Sequence, residues 1–372
     1  MPIEGPRVRN FSEKRRNLTV EVTSGPAFEL LASLCVFSGH ADDAAEYEVG
    51  AGWFDGVRKS ASAGLLEELA RLESCEVWLG LLGDAYETPS PHTVAGLFQH
   101  LETTDPVDLR RRLLAMATHD SGSANADLVD RAASGDAAAL AELEATCEEC
   151  ACPAFHNVLG VEPGMTTKSL IGVMRRFDEE VFKGGAGVAA VLSREAEEKR
   201  AMAGTMGPER LVEIATNGVT FKLQPEMSGI VLVPSVVLRP WAAVADHGSL
   251  RIFMYPVPQD ALGADPGAPS KWMLSLYKAL ADERRLRILK LLSAGPASLT
   301  EITDKVGLAK STVHHHLRAL RTAGLVLITV GEDKSCSLRI DALGDAGRML
   351  ETYLSGPAAA GSRAREEGRG NR

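Results

Sequence analysis

The stretch SLTEITDKVGLAKSTVHHHLRALRTAG, residues 298–324, predicts two helices joined by a tight turn. At the start of the first helix, Ser298 and Glu301 have the spacing of a capping box, in which the hydroxyl and the carboxylate satisfy free backbone amides reciprocally. A three-residue turn follows at 307–309, and a longer helix is predicted over residues 310–323. This order of elements is typical of a helix-turn-helix.

The second helix has one apolar and one polar face. The residues with the helical spacing of a buried stripe are Val313, His316, Leu317 and Leu320. The residues that repeat this spacing on another face are Ser311, His314, His315 and Arg318. The first face can pack on the preceding helices while the second presents hydrogen-bonding groups to base edges in the major groove. The sequence therefore predicts a recognition helix.

The flanking residues complete the motif. Two amphipathic helices precede it, and Asp282 is the predicted N-cap of the second. Two alternating strands, residues 325–330 and 335–340, follow it and form a β-wing. At the tip of the wing, Lys334 is placed to meet a phosphate. The predicted DNA-contacting residues are Lys310, Ser311, Thr312, His314, His315, Arg318, Arg321, Lys334 and Arg339.

Over residues 278–289, 311–320 and 323–326 the chain resembles the ArsR/SmtB family of winged-helix repressors. The resemblance covers about a fifth of the 372 residues, with its motifs in the family's order and spacing. It implies a homodimer that binds double-stranded DNA at an operator with two-fold character, and repression that an effector relieves. Residues 232–237 and 253–256 resemble an uncharacterised N-terminal domain of some long ArsR-type regulators.

The sequence departs from the family pattern in three places. The helix before the turn, residues 299–306, has no Cys-x-Cys metal-sensing motif. Ala309 stands where Ser or Thr often caps the recognition helix, so a cap worth about 1 kcal/mol is missing or replaced. Cys336 stands where the wing commonly has an aromatic residue. The apolar side of residues 343–354 is predicted to supply part of the dimer interface.

The whole chain is predicted to be mainly α, in an α+β class. Helical spacing of apolar residues extends from Ala27 to about Ala203, and β-rich runs separated by Pro and Gly follow up to Val257. We expect a helical N-terminal domain with a small β segment. The predicted segments are a flexible basic arm (1–17), an N-terminal sensor or oligomerisation domain (18–260), a linker (261–269), a winged helix-turn-helix DNA-binding domain (270–355) and a disordered tail (356–372).

Charge and composition favour a cytoplasmic DNA-binding protein. The net charge is −10, yet residues 270–341 hold 12 Lys and Arg against 7 Asp and Glu, as expected if only this part approaches phosphates. No apolar stretch approaches the ~20 residues that span a bilayer, and no secretory signal is visible. The 6 cysteines are too sparse for a disulfide scaffold. We therefore expect reduced thiols and a cytoplasmic, nucleoid-associated protein without membrane contact.

One cluster of potential metal ligands lies far from this motif. Its members are Cys147, Cys150, Cys152 and His156. Three cysteines and a histidine can hold zinc, but the spacing is not that of a standard finger or ribbon. Ordinary thiols, a zinc site and a redox switch remain three hypotheses. The consecutive histidines 314–316 do not suit one ion, because successive helical residues point about 100° apart. No other cofactor is expected.

Aromatic residues of the N-terminal region have two interpretations. They are Trp53, Trp78, Phe98, Trp241 and Tyr255. Each either belongs to the core of the domain or lines a ligand pocket.

The preferred hypothesis is a sequence-specific transcriptional regulator, a repressor, that responds to an unknown effector through its N-terminal domain. The alternatives are a metal- or redox-responsive regulator acting through the cysteine cluster, an enzyme with an appended DNA-binding domain, and a protein-interaction module. The first 260 residues contain no glycine-rich phosphate loop ending in Lys-Ser/Thr, no His-Glu-x-x-His and no Gly-x-Ser-x-Gly. We therefore predict no catalytic residues.

Overall fold

The structure is a computed structural model. It describes residues 18–39, 44, 47–72, 75–118, 126–146, 159–224, 227–262, 269, 271–330, 335–339, 342–343, 347, 350–351 and 353–354. These residues are mainly helical and include two small sheets, which confirms the predicted mainly α class.

Among the described residues, most helices precede the central strands along the chain, and four further helices and a hairpin follow them. The helices are α1 (Pro26–Gly39), α2 (Ala51–Ser60), α3 (Ala63–Leu72), α4 (Cys75–Leu79), α5 (Leu82–Glu87), α6 (Val94–Thr103), α7 (Pro106–Thr118), α8 (Ala126–Ala133), α9 (Ala137–Thr146), α10 (Pro163–Phe177), α11 (Ala189–Ala203), α12 (Pro208–Ala215), α13 (Lys271–Leu280), α14 (Glu283–Leu292), α15 (Leu299–Val306) and α16 (Lys310–Thr322). The strands are β1 (Thr19–Val22), β2 (Val219–Phe221), β3 (Gly229–Ser235), β4 (Ala243–His247), β5 (Leu250–Pro256), β6 (Val326–Val330) and β7 (Ser335–Leu338).

A four-stranded sheet forms the centre of the N-terminal region. Its strand order is β1-β3-β5-β4, with β1, β3 and β5 parallel and β4 antiparallel to β5. The central strand β3 is apolar along its length because both of its faces are buried, as expected for a parallel strand covered on both sides. Val231 and Val233 pack into the core formed with α1 to α10, whereas Ile230 and Leu232 pack into a second core with α11 and α12.

A disulfide joins two helices of the larger core. Cys35 in α1 is bonded to Cys75 in α4, so the expectation of reduced thiols for all cysteines is wrong for this pair in the structure. The two helices pack closely: a Cβ built on Gly39 would lie 3.0 Å from the Cβ of Cys75. Forty residues separate the two cysteines in the sequence, and only the packing of α1 on α4 brings them together.

The C-terminal helices α13 to α16 enclose a core of their own with β6 and β7. The capping box at the start of α15 is present, since Ser298 and Glu301 each accept from the backbone amide of the other. Gly307 ends α15 in a left-handed conformation, with φ 70°, which a residue with a Cβ adopts less readily. The three helices α14, α15 and α16 followed by the hairpin β6–β7 form the predicted winged helix.

The wing sheet contains a strand that the sequence assigned to the N-terminal domain. β2 pairs in parallel with β6, giving the order β2-β6-β7. The side chains of Val219 and Phe221 in β2 pack into the second N-terminal core. β2 therefore connects the two regions, because its backbone belongs to the wing sheet and its side chains belong to the N-terminal core.

Candidate nucleic-acid interface

The helix α16 is fixed in place by its apolar face. Val313, Leu317 and Leu320 are buried in the core that α16 shares with α13, α14 and α15. His316 is buried beside them, and desolvation lowers its pKa. His316 therefore packs in the core, as its helical spacing indicates. These four residues set the orientation of every other side chain on α16.

The N-terminal half of α16 exposes polar side chains. Lys310, Ser311, His314 and His315 are exposed, and Thr312 is half-buried. Because these side chains lie on the side opposite the apolar stripe, they are presented together on one surface. This arrangement matches the predicted recognition helix.

The start of α16 has no side-chain cap. Its N-cap residue is Ala309, which accepts no hydrogen bond through its side chain, whereas Ser298 and Asp282 cap α15 and α14. The first amides of a helix carry a partial positive charge. At α16 this charge is left uncompensated by any side-chain acceptor at the N-cap, and Lys310 adds to it.

The C-terminal half of α16 meets the N-terminal region. The guanidinium carbons of Arg318 and Arg321 lie 5.1 Å and 5.3 Å from the ring centroid of Trp241. Arg321 is half-buried, and desolvation lowers the pKa of its guanidinium. Two predicted DNA-contacting arginines are thus stacked on a tryptophan of the same chain.

A third predicted DNA-contacting residue is held by the N-terminal region. The Nη1 atom of Arg339 donates to Oδ1 of Asn217 at 2.8 Å, and its Nε lies 3.7 Å from a carboxylate oxygen of Glu213. Asn217 itself has a left-handed backbone, with φ 54°, in the turn between α12 and β2. In this arrangement Arg339 connects the wing to that turn.

Comparison with known proteins identifies the C-terminal unit. Residues 282–327 match the family described as bacterial regulatory protein, arsR family. Over 84 residues the chain is 36% identical to YceK, an uncharacterized HTH-type transcriptional regulator of Bacillus subtilis (strain 168), and the match covers 22% of this chain and 77% of YceK. The chain belongs to the arsR family.

A second relative matches a shorter segment. The chain is 43% identical over 53 residues to the HTH-type transcriptional regulator NmtR of Mycobacterium tuberculosis (strain ATCC 25618 / H37Rv). This match covers 14% of this chain and 44% of NmtR, so the chain spans less than half the length of NmtR. No solved structure matches the chain. The arsR-family match extends from the N-cap of α14 into β6 and leaves the N-terminal region outside it.

Hydrogen bonds and an ion pair within the N-terminal region hold the loop that places Trp241 against α16. The buried carboxylate of Glu29 accepts hydrogen bonds from the amides of Val236 at 3.0 Å and Val237 at 2.8 Å. Desolvation by burial raises the pKa of Glu29 to about 7. Further along the loop, Arg239 forms an ion pair with Glu48. Trp241 therefore lies at the end of a well-supported loop.

The other aromatic residues belong to the core. Trp78 and Tyr255 are fully buried, Phe98 is buried, and Trp53 packs edge-to-face on Phe54. The Trp78 ring nitrogen donates to the hydroxyl of Ser38 at 2.8 Å. These aromatics are spread over the N-terminal region, so they do not form one pocket. Trp241 differs from them because it contacts the arsR-family helix.

Several predicted sites lie outside the described residues. They are the basic arm, the tail from 356, Lys334 and the cluster Cys147, Cys150, Cys152 and His156. Zinc at that cluster stays a prediction, which stoichiometric zinc in the purified protein would support. Within the described ranges, no group of three or more His, Cys, Asp or Glu side chains is placed to hold a metal ion. In the same ranges, no helix is both long and apolar enough to cross a bilayer.

Proposed function

We propose that this protein is a sequence-specific DNA-binding transcriptional regulator of the cytoplasm that represses its target genes. The observation that carries the proposal is the helix α16, an anchored helix of an arsR-family winged helix whose N-terminal half exposes a polar surface. An α-helix fits the major groove of B-DNA, where donors and acceptors distinguish the base pairs. The proposal assigns no catalytic step.

The residues of this surface divide into two roles. Ser311, His314 and His315 are exposed on α16, and they are proposed to read sequence, joined by Arg318 when it leaves the Trp241 ring. Lys310 and Thr312 lie at the start of α16, where the helix dipole favours a phosphate, and they are proposed to position the protein. Lys334 at the predicted wing tip has the same positioning role in this proposal.

We propose that the regulator is a homodimer. Leu343 and Leu354, which follow the wing, are large apolar residues with 41% and 73% of their surface exposed. Exposed apolar surface of this kind is typical of interaction sites. A two-fold dimer would place two α16 helices in successive major grooves of a palindromic operator. Sedimentation of the Leu354→Glu variant tests this, with a shift toward the monomer as the expected result.

The function is tested by DNA binding. Fluorescence anisotropy would measure the affinity of the full chain for DNA upstream of its own gene and for a scrambled duplex, at two salt concentrations. We expect a preference for the upstream DNA and an affinity that falls steeply with salt, because phosphate contacts release counterions.

Substitutions test whether the polar surface of α16 contacts DNA. His315→Ala and Ser311→Ala are expected to lower affinity for the preferred DNA by about tenfold or more, as loss of a base contact costs about 1–3 kcal/mol. The matched control is Lys290→Ala, an exposed cation on α14 away from this surface. If His315→Ala and Arg318→Ala both left binding intact, α16 would not be the recognition helix.

A further inference from the structure

A cavity lies at the junction between the N-terminal region and the arsR-family winged helix. Its volume is about 440 Å³, within the ~300–1,000 Å³ typical of sites for small organic ligands. One wall comes from the N-terminal loops, including Tyr47, Pro240 and Trp241. The other walls come from α13, α14 and the C-terminal half of α16. We call it the junction cavity.

The junction cavity is basic. The cationic or titratable side chains on the winged-helix side are Lys278, Arg285, His315 and Arg318. The acidic residue in its lining is Glu48, which is already ion-paired with Arg239. Among the described residues, no carboxylate lies within ion-pair distance of Lys278, Arg285 or His315. The lining of the cavity thus holds more basic than acidic side chains.

The remaining lining is apolar or aromatic. Tyr47, Pro240 and Trp241 face Leu274 and Ala319 across the cavity. Leu274 is a large apolar side chain, and 43% of its surface is exposed. Apolar walls combined with a few charged groups are the usual composition of a site for an organic ligand.

The junction also contains unsatisfied donors. The ring Nε1 of Trp241 and the Nε of Arg285 are buried without a hydrogen-bond partner among the described residues. Both residues line the junction cavity, and a buried donor without a partner is unfavourable.

We propose that the junction cavity binds a small organic anion with an apolar body, such as an aromatic carboxylate, and that this anion weakens DNA binding. The carboxylate is bound by Lys278 and Arg285, and the apolar body lies between Trp241 and Leu274. The claim that the anion weakens DNA binding rests on the proposed function.

Antagonism with DNA follows from the shared residues. The ligand contacts Trp241 on the N-terminal wall and α13 and α14 on the winged-helix wall at once, so it stabilises the arrangement in which Arg318 is stacked on Trp241. DNA requires Arg318 and His315 at base edges, and its phosphates attract the same cations. A ligand shifts an equilibrium toward the state that it binds better. The factor by which the anion weakens DNA binding must equal the factor by which DNA weakens anion binding.

The first part of the test measures ligand binding alone. Isothermal titration calorimetry would compare 2-naphthoate with neutral 2-naphthalenemethanol on the full chain without DNA. The variants are Lys278→Gln and Trp241→Phe, and the matched control is Lys290→Gln. Lys278 and Lys290 are both exposed on the surface, so neither substitution disturbs a core.

We expect naphthoate to bind the wild type and the Lys290→Gln control equally. Lys278→Gln is expected to weaken binding about tenfold, since a hydrogen bond to a charged group is worth about 1.5–3 kcal/mol. The neutral alcohol should bind at least about tenfold more weakly for the same reason. Trp241→Phe keeps an aromatic wall, so it should weaken binding less than Lys278→Gln. No naphthoate binding, or binding that Lys278→Gln leaves unchanged, would overturn the site.

The second part adds DNA, with sodium sulfate at equal ionic strength as a control for salt. Naphthoate should lower the DNA affinity of the wild type and of Lys290→Gln, and act less on Lys278→Gln. If DNA binds specifically and naphthoate binds without altering it, the regulatory inference is wrong and the proposed function stands. If specific DNA binding is absent while naphthoate binding depends on Lys278, the proposed function is wrong and the anion site stands.

Discussion

The two halves of α16 carry similar polar side chains but meet different surroundings. In the N-terminal half, Lys310, Ser311 and His315 are exposed. In the C-terminal half, Arg318 and Arg321 are stacked on Trp241 from a loop about 80 residues earlier in the chain. One half is open to DNA in this arrangement and the other is covered. In this arrangement the N-terminal region covers part of the predicted recognition surface.

The largest expected effect concerns Glu29, which holds the loop that carries Trp241. Burial raises the pKa of Glu29 to about 7, against 4.5 for an ordinary glutamate. Between these two values the folded state binds more protons than the unfolded state, so the free energy of unfolding falls as pH rises. The group's stabilising contribution is present below about pH 4.5 and is lost through pH 7, with a span of about 3 kcal/mol.

Urea denaturation of the wild type and Glu29→Gln between pH 4.5 and 8 would measure this. As pH rises, the free energy of unfolding of Glu29→Gln should increase relative to that of the wild type. The amide side chain keeps an acceptor for the Val236 and Val237 amides, and it does not ionise. Glu67→Gln on the exposed surface of α3 serves as the control. A pH profile identical in wild type and Glu29→Gln would contradict the assignment.

The second prediction tests the open half. Lys310→Ala should weaken binding to preferred and scrambled DNA alike, by about fivefold, because a phosphate contact is independent of sequence. The slope of the logarithm of affinity against the logarithm of salt should fall in magnitude by about 1. Anisotropy titrations at several salt concentrations give both quantities. A loss confined to the preferred sequence would instead place Lys310 at a base edge.

The third prediction tests the covered half. Trp241→Ala removes the ring on which Arg318 and Arg321 are stacked, an interaction worth roughly 0.5–2 kcal/mol. Affinity for the preferred DNA should therefore rise by about threefold, because Arg318 is released for base contact. Trp53→Phe, an aromatic replacement away from α16, is the control. An unchanged or lower affinity would mean that the N-terminal region does not compete with DNA.

The smallest expected effect lies at the uncapped start of α16. Ala309 has an extended backbone, with φ −62° and ψ 144°, which suits a capping residue. Ala309→Ser should raise the free energy of unfolding by about 0.5 kcal/mol through a hydroxyl acceptor for the first amides. Thermal denaturation would detect this. Ala309→Val, which cannot cap, should give no gain.

The C-terminal unit was predictable from local signals. The capping box at Ser298, the N-cap at Asp282 and the stripe through Val313 and Leu320 each depend on residues within a few positions of one another. The structure places the helices where these signals predict them, with α16 ending one residue earlier than predicted. The same periodicity separated the packing His316 from its exposed neighbours. The arsR-family match covers this region.

For the N-terminal region, the sequence predicts only the structural class, mainly helical with a small β segment. Its helical and β-rich segments are visible, but the residues of β1 and β3 that pair are 210 positions apart along the chain. The strand β2 was assigned to the N-terminal domain, yet its backbone extends the wing sheet. Pairing over such separations depends on which surfaces fold together, and no local pattern encodes it.

The sequence by itself determined the winged helix and the two faces of α16, because helical periodicity and capping are properties of neighbouring residues. The tertiary structure alone decided that Cys35 meets Cys75, that Arg339 binds Asn217, and that Trp241 covers Arg318. These contacts join residues far apart in the chain. They exist only because the packing of whole helices and sheets brings their side chains within reach.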